Sequence, residues 1–236
     1  MQARRYSLFL FCIRISVMSS IRAILLDFDG VIAHTAPIVK QCLWYFFREK
    51  EIAILEKDFE EDGYAAKSLE QICDCLAEKY DITLDVDHLR SQIWDTQVQL
   101  MNEGLVFDPE LPVLLELCRQ RNIAIGIGSN SGWTRVQWIV NKMNIGEYFQ
   151  TIVGAHDITY HKPDPEVWIQ CALNLKVAHE NCLVVDDGLP GLIGAKKCGM
   201  RRVYYHRYSS PDKECLSMAD YHTDSFGDII KLLADD

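Results

Sequence analysis

Two pairs of aspartates stand at the ends of apolar runs in this 236-residue chain. Asp27 and Asp29 follow one run, and Asp186 and Asp187 follow another. If both runs are strands of one sheet, the carboxylates converge and repel one another unless a cation lies between them. Mg²⁺ suits a site with few carboxylates. One carboxylate can also act as a nucleophile, and another can transfer a proton. The two pairs therefore indicate a metal-assisted catalytic site.

A serine, an asparagine and a lysine occupy comparable positions. Ser129 and Asn130 follow a third apolar run, and Lys162 stands just past a fourth. Taken singly, each feature has an ordinary explanation, because a serine after a strand often caps the next helix. Four strand ends that all carry such residues are hard to explain as coincidence. A lysine at this point would also supply the fixed positive charge that an anionic substrate needs.

Apolar runs alternate with amphipathic segments along most of the chain. We expect strands at 21–26, 123–128, 151–154, 182–185 and 202–205. We expect helices at 110–121, 133–143, 165–175, 190–198 and 226–233. This alternation predicts an α/β fold, a Rossmann-like parallel sheet with helices on both faces. Because ligands bind outside the carboxyl ends of such strands, the polar residues above should meet at one edge of the sheet.

A block of helical segments interrupts this alternation after the first strand. We expect helices at 36–50, 68–80 and 86–101. We therefore divide the chain into a Rossmann-like core, residues 21–35 and 109–236, and an inserted helical cap, residues 36–108. Residues 1–20 resemble a weak signal peptide, but their apolar run is too short to span a membrane. We interpret them as a dispensable extension.

Composition excludes several classes of function. Hydrophobic residues make up 49% of the chain and charged residues 25%, which rules out disorder as the dominant state. The net charge of -10 argues against a nucleic-acid partner, since a general nucleic-acid binder needs a basic face. No segment approaches membrane-spanning length, so we expect no membrane partner. The nine cysteines are scattered, which favours reduced thiols in a cytoplasmic protein. The oligomeric state is not readable from the sequence.

The polar residues belong to four short motifs. The motifs are Asp27-x-Asp29-Gly30-Val31, Ser129, Lys162-Pro163-x-Pro165-Glu166, and Val184-Val185-Asp186-Asp187 followed by Gly191, Ala195 and Gly199. Together they resemble the haloacid dehalogenase superfamily and its aspartyl-phosphate phosphatases. The position of the insert is similar to that in members with a small helical cap, the phosphoglycolate phosphatase and β-phosphoglucomutase-like subfamily. The resemblance implies a phosphoric monoester hydrolase that uses Mg²⁺ and acts on a small phosphorylated metabolite.

The resemblance also implies roles for the aspartates. Asp27 is expected to be the nucleophile, which forms an acyl phosphate, and to bind the metal through its second oxygen. Asp29 is expected to donate a proton to the leaving oxygen and then to take one from water, while its backbone carbonyl binds the metal. Asp187 is the best metal ligand of the fourth motif, with Asp186 beside it.

Ser129 and Lys162 are expected to bind the transferring phosphoryl group, together with Asn130. Lys162 should neutralise both that group and Asp27, so that an anionic substrate can bind an acidic protein. Two residues depart from the pattern of many relatives. Gly188 stands where they have a serine, and His34 where they have an acidic residue.

Other members of the superfamily suggest alternatives. Dehalogenases lack the second aspartate, and Asp29 is present here. Phosphonate-cleaving relatives need a cap lysine, but nothing singles out Lys40 or Lys67. Sugar-phosphate mutases carry a histidine in the first cap helix, where Val39 stands, which favours hydrolysis. A non-catalytic regulatory or binding relative is also an alternative, but the retained motif residues argue against it.

A polar break inside the cap, residues 61–67, predicts a substrate loop. Loops on a rigid scaffold commonly carry specificity, and Gly63 resembles the glycine that relatives have in their substrate loop. Lys67 is the cation there that would meet an anionic group of the substrate. The alternative is a solvated connection between two helices, with Lys67 in the first turn of the second one.

Overall fold

The computed structural model describes residues 20–49 and 69–235. In this part of the chain six parallel strands form one sheet, in the order β3-β2-β1-β4-β5-β6. The strands are β1 (Ala23–Leu26), β2 (Ala124–Gly128), β3 (Thr151–Val153), β4 (Cys182–Asp186), β5 (Arg201–Tyr205) and β6 (Tyr221–Thr223). This confirms the predicted α/β fold.

The central strands are buried along their whole length, as expected for a parallel sheet covered on both faces. All four residues of β1 and all five of β4 are buried. Leu26 of β1 pairs with Ile127 of β2 on one side and with Val185 of β4 on the other. The carboxyl ends of β1, β2 and β4 are therefore level, and the residues that follow them meet at one edge.

Helices cover the two faces of the sheet. Ile24 and Leu26 belong to one apolar cluster, and the alternate residues Ala23 and Leu25 belong to a second. The helices concerned are α4 (Leu111–Gln120), α5 (Trp133–Lys142), α6 (Glu166–Leu175), α7 (Leu189–Lys197) and α9 (Phe226–Asp235). Helices α4, α5 and α9 contribute to the first cluster, and α6 and α7 contribute to the second.

Between β1 and α4 the described residues form three helices, with non-helical connections such as residues 27–35 and 105–110. The helices are α1 (Ala36–Glu49), α2 (Leu69–Tyr80) and α3 (Val86–Gly104). Buried side chains of these helices, such as Phe47 and Leu76, join the first apolar cluster. The segment that leaves the sheet after β1 and the segment that returns to it lie side by side. The backbone N–H of His34 in the first donates to Val106 O in the second at 2.8 Å.

Two elements near the end of the chain have no counterpart among the predictions. These are α8 (Lys213–Met218) and the edge strand β6. In β6 only Thr223 is buried, so the strand carries no apolar alternation by which to recognise it.

Among the described helices, none has both the length and the apolar character needed to cross a bilayer.

Candidate active site

The first and fourth motifs meet at the carboxyl edge of the sheet. The backbone N–H of Asp27 donates to Val185 O at 2.8 Å, so the pairing of β1 with β4 continues past the end of β1. Lys162 then joins the two strand ends: its Nζ lies 2.5 Å from Asp27 Oδ1 and 2.8 Å from Asp186 Oδ2. Three residues predicted from separate motifs therefore form one contact.

Lys162 is buried, and its environment keeps it charged. Its Nζ lies 4.2 Å from the centre of the Trp168 ring, and its backbone N–H donates to Asn130 Oδ1 at 3.1 Å. Burial opposes the charge, but the carboxylates of Asp186 and Asp27 more than offset it and raise the pKa of Lys162. An ammonium group fixed between two carboxylates is a preorganised positive charge, of the kind that stabilises a developing anion.

Two carboxylates at this edge, those of Asp27 and Asp187, are destabilised in their charged form. Burial is the main cause that raises the pKa of Asp27, to about 7, although Lys162 acts in the opposite direction. Burial, and after it the charges of Asp27 and Asp186, also raise the pKa of Asp187. A bound cation would offset the burial and the mutual repulsion of these carboxylates, so they are candidate metal ligands.

Of the four predicted metal ligands, Asp27 and Asp187 remain the candidates to hold a metal through their carboxylates, and ligation by the backbone carbonyl of Asp29 stays a prediction. Asp186 is already bonded to Lys162, and Gly188 N–H donates to its other oxygen at 2.9 Å. Within residues 20–49 and 69–235, no three acidic, histidine or cysteine side chains are grouped closely enough to hold a metal by themselves. Two carboxylates therefore fit Mg²⁺, which keeps several waters, better than a metal that needs a full set of protein ligands.

Close backbone packing fixes the fourth motif in place. A Cβ on Gly191 would lie 1.8 Å from Asp186 Oδ2, so only glycine allows α7 to approach the carboxylate this closely. Gly188 precedes α7, at the position where the sequence lacks the serine of many relatives. Its backbone N–H still reaches Asp186, so the orientation of this carboxylate does not depend on a hydroxyl group at residue 188.

Asp29 is held by three side chains. Arg135 contacts both of its oxygens, with Nη2 at 2.7 Å from Oδ1 and Nη1 at 3.0 Å from Oδ2. Ser131 Oγ donates to Oδ2 at 2.5 Å, and Thr35 Oγ1 donates to Oδ1. Burial alone would raise the pKa of Asp29, but Arg135 and the hydrogen bonds reverse this and lower it. The resting side chain is therefore a carboxylate.

These three partners of Asp29 were not among the predicted site residues. Thr35 lies in the connection to α1, Ser131 lies two residues beyond Ser129, and Arg135 is in the first turn of α5. The available signal was weak, because Ser131 precedes the predicted helix at 133–143 and Arg135 lies in its first turn, and neither residue follows a strand directly.

Ser129 and Asn130 lie where they were predicted. Ser129 is buried at the end of β2, and its backbone N–H donates to Val153 O at 3.0 Å. Its Oγ accepts the backbone N–H of Ser131 at 2.9 Å, which leaves the hydroxyl proton for another acceptor. Gly63 and Lys67, the predicted substrate-binding residues of the cap, lie outside the described residues.

The family model of the haloacid dehalogenase-like hydrolases matches residues 24–205, more than half of the chain. The chain therefore belongs to the haloacid dehalogenase-like hydrolases, as the motifs predicted. It is a member whose similar curated proteins include named phosphatases. One is the phosphorylated carbohydrates phosphatase of Thermotoga maritima, 22% identical over 82% of this chain and 89% of the relative.

Two further comparisons agree. The bifunctional riboflavin kinase/FMN phosphatase of Arabidopsis thaliana is 23% identical over 86% of this chain, which spans only 55% of that longer protein. Among solved structures, β-phosphoglucomutase from Clostridium difficile superposes with a TM-score of 0.75 at 24% identity. That match covers 91% of this chain and 98% of the other. The structural match establishes the shared fold.

Proposed function

We propose that this protein is a Mg²⁺-dependent phosphatase that hydrolyses a small phosphorylated metabolite through an aspartyl-phosphate intermediate. The observation that carries the proposal is the placement of Lys162 between Asp27 and Asp186, with Asp187 beside them at the same edge. A nucleophile, a fixed positive charge and a pair of oxygen ligands are the parts that phosphoryl transfer needs.

The first step transfers the phosphoryl group to the chain. An oxygen of Asp27 attacks phosphorus, and the bond from phosphorus to the leaving oxygen breaks. Lys162 stabilises the charge on the phosphoryl oxygens, and the free hydroxyl proton of Ser129 is available to bond one of them. When bound by Asp27 and Asp187, Mg²⁺ would supply further positive charge to the same oxygens.

The second step hydrolyses the acyl phosphate. Asp29 takes a proton from water, whose oxygen attacks phosphorus, and Asp27 leaves as a carboxylate. Asp29 is paired with Arg135 as a carboxylate, and a carboxylate is the base that this step requires. Proton donation in the first step requires Asp29 to take up a proton and to give up part of its contact with Arg135.

The remaining parts of the proposal concern the setting of the enzyme. We assign residues 36–108 as a cap over the site and residues 21–35 and 109–236 as the catalytic core, with substrate choice made by the cap, including Gly63 and Lys67. All eight cysteines that the structure describes are free thiols, which supports a reducing compartment such as the cytoplasm.

The test is hydrolysis of p-nitrophenyl phosphate, with Mg²⁺ and with a chelator, by the wild type and by Asp27→Asn. An amide cannot accept the phosphoryl group, so turnover should be abolished while the fold is kept. Asp228→Asn is the matched control, because Asp228 pairs with Lys231 on the surface of α9. Residual Asp27→Asn activity within about tenfold of wild type, ~1.4 kcal/mol of barrier, would contradict the assignment. Full activity in excess chelator would contradict the metal requirement.

A further inference from the structure

We propose that Arg135 is a positioning residue that, with Ser131, fixes Asp29 as the base for hydrolysis of the acyl phosphate. The inference rests on the proposed function of the site and adds a residue to it. Asp29 lies on the turn after β1, whereas Arg135 and Ser131 lie in and just before α5. Two separate segments of the fold are thus joined at one carboxylate.

The geometry around Asp29 leaves little freedom. Arg135 and Ser131 each reach the carboxylate, and Arg135 Nη1 also donates to Ser131 Oγ at 2.8 Å. Arg135 therefore orients Asp29 directly and orients the serine that bonds it. A forked guanidinium can contact both oxygens of a carboxylate at once, which a lysine cannot do.

The cost of burying Arg135 argues against a purely stabilising role. Its side chain is 13% exposed, and among the described residues its Nε is buried without a hydrogen-bond partner. The guanidinium also lies 5.7 Å from the ring centre of the buried Phe28. Buried ion pairs commonly cost as much to desolvate as they return, and an unsatisfied donor adds to that cost. A cost of this kind is typical of a functional site.

The position of Asp29 matters most in the second step. Water is a poor nucleophile until a base takes its proton, and the base must lie within hydrogen-bond reach of the attacking water. In that step the proton goes to Asp29, the water oxygen bonds to phosphorus, and the bond to Asp27 breaks. The first step with an aryl phosphate needs little proton donation, because nitrophenolate is a good leaving group. Loss of Arg135 should therefore slow the second step selectively.

The experiment is stopped-flow hydrolysis of p-nitrophenyl phosphate with Mg²⁺ by the wild type, Arg135→Ala and Arg135→Lys. Arg135→Ala should show a burst of nitrophenolate close to one equivalent, followed by a steady-state rate about 100-fold below wild type. Added guanidinium should restore part of that rate in Arg135→Ala and leave the wild type unchanged. Arg135→Lys should be intermediate. The control is Arg119→Ala, because Arg119 pairs with Glu116 on the exposed side of α4.

A merely structural role would lower the burst and the steady-state rate together, and that result would overturn the inference. If Arg135→Ala does not fold, the ratio of burst to steady-state rate in Arg135→Lys decides by the same criterion. Crystal structures of the wild type and the variants give a second readout. Asp29 in the same position without Arg135 would also overturn the inference. A wild type inactive on every phosphate ester would refute the proposed function instead, and the position of Asp29 in these structures would still decide whether Arg135 positions it.

Discussion

Gly30 lies against the carboxylate of Asp187, so close that a Cβ on Gly30 would stand 1.8 Å from Asp187 Oδ2. Gly30 also has a φ of +81°, in the left-handed region that favours glycine. The backbone of the turn after β1 therefore packs against the carboxylate of Asp187, which directly follows β4. This packing lets the first and fourth motifs share one site.

The first prediction follows from that contact. Gly30→Ala should displace Asp187 and lower kcat at least about 100-fold, because it disturbs the proposed base, Asp29, and the proposed metal ligand, Asp187, together. Gly199→Ala is the control that has the backbone strain without the clash. Gly199 has a φ of +75°, but no atom lies within 4 Å of the position that its Cβ would take. That variant should lose about 1–2 kcal/mol of stability and keep its kcat. Equal kcat values for the two variants would contradict the prediction.

The second prediction concerns the charge between the strand ends. Lys162→Met removes the cation that pairs with Asp27 and Asp186, and leaves two buried carboxylates facing each other. Breaking a buried pair in this way typically costs about 3–5 kcal/mol of unfolding free energy. The loss should be larger at pH 8 than at pH 5, where Asp27, whose pKa burial raises to about 7, can be protonated. Urea unfolding at both pH values measures it, with Lys231→Met, a change in the surface pair with Asp228, as control.

The third prediction is a pH dependence of the metal-free protein. Because the pKa of Asp27 is raised from 3.8 to about 7, the folded state holds a proton that the unfolded state has lost between these values. Unfolding free energy should therefore fall as pH rises from about 4 to about 7, and Asp27→Asn should flatten this slope. Differential scanning fluorimetry in excess chelator measures it.

Mg²⁺ should stabilise the folded protein more at high pH than at low pH, which opposes the pH trend of the metal-free protein. Its binding requires the carboxylates in their charged form, so the rise in Tm that it produces should be greater at pH 8 than at pH 5. A rise in Tm that is the same at both pH values, or absent at both, would contradict a site made of Asp27 and Asp187. This readout does not depend on activity, so it tests the metal site even where no substrate is known.

Motifs at strand ends could be read from the sequence because parallel strands bring their carboxyl ends to one edge. Asp27 and Asp186 meet for this reason, and long apolar runs such as β4 identify the strands that carry them. Lys162 reaches both from the loop that follows β3. Arg135 could not be found in the same way. Its role depends on which face of α5 turns toward the site, and an arginine near the start of a helix is usually solvated.

Short and exposed elements could also not be predicted from the hydrophobic pattern of the sequence. β6 has three residues, of which one is buried, so its place in the sheet depends on pairing with β5 and not on its own periodicity. The substrate choice that we propose for residues 36–108 is harder still to predict, since no chemical motif marks the residues that choose a substrate. The fold and the reaction centre are thus predictable to a greater extent than the substrate.

The last prediction concerns the point where the chain returns from α3 to the sheet. Asp108 is buried there, and its Oδ2 accepts the Tyr205 hydroxyl at 2.6 Å, while Oδ1 accepts the Glu110 N–H at 2.8 Å. Tyr205 also stacks on Phe226, with ring centres 4.6 Å apart. Tyr205→Phe keeps the stacking and removes one donor from a buried carboxylate, so it should cost about 1–3 kcal/mol of unfolding free energy. The exposed Tyr221 provides the control, Tyr221→Phe. Urea unfolding measures both, and equal stabilities would show that the hydroxyl of Tyr205 does not anchor this connection.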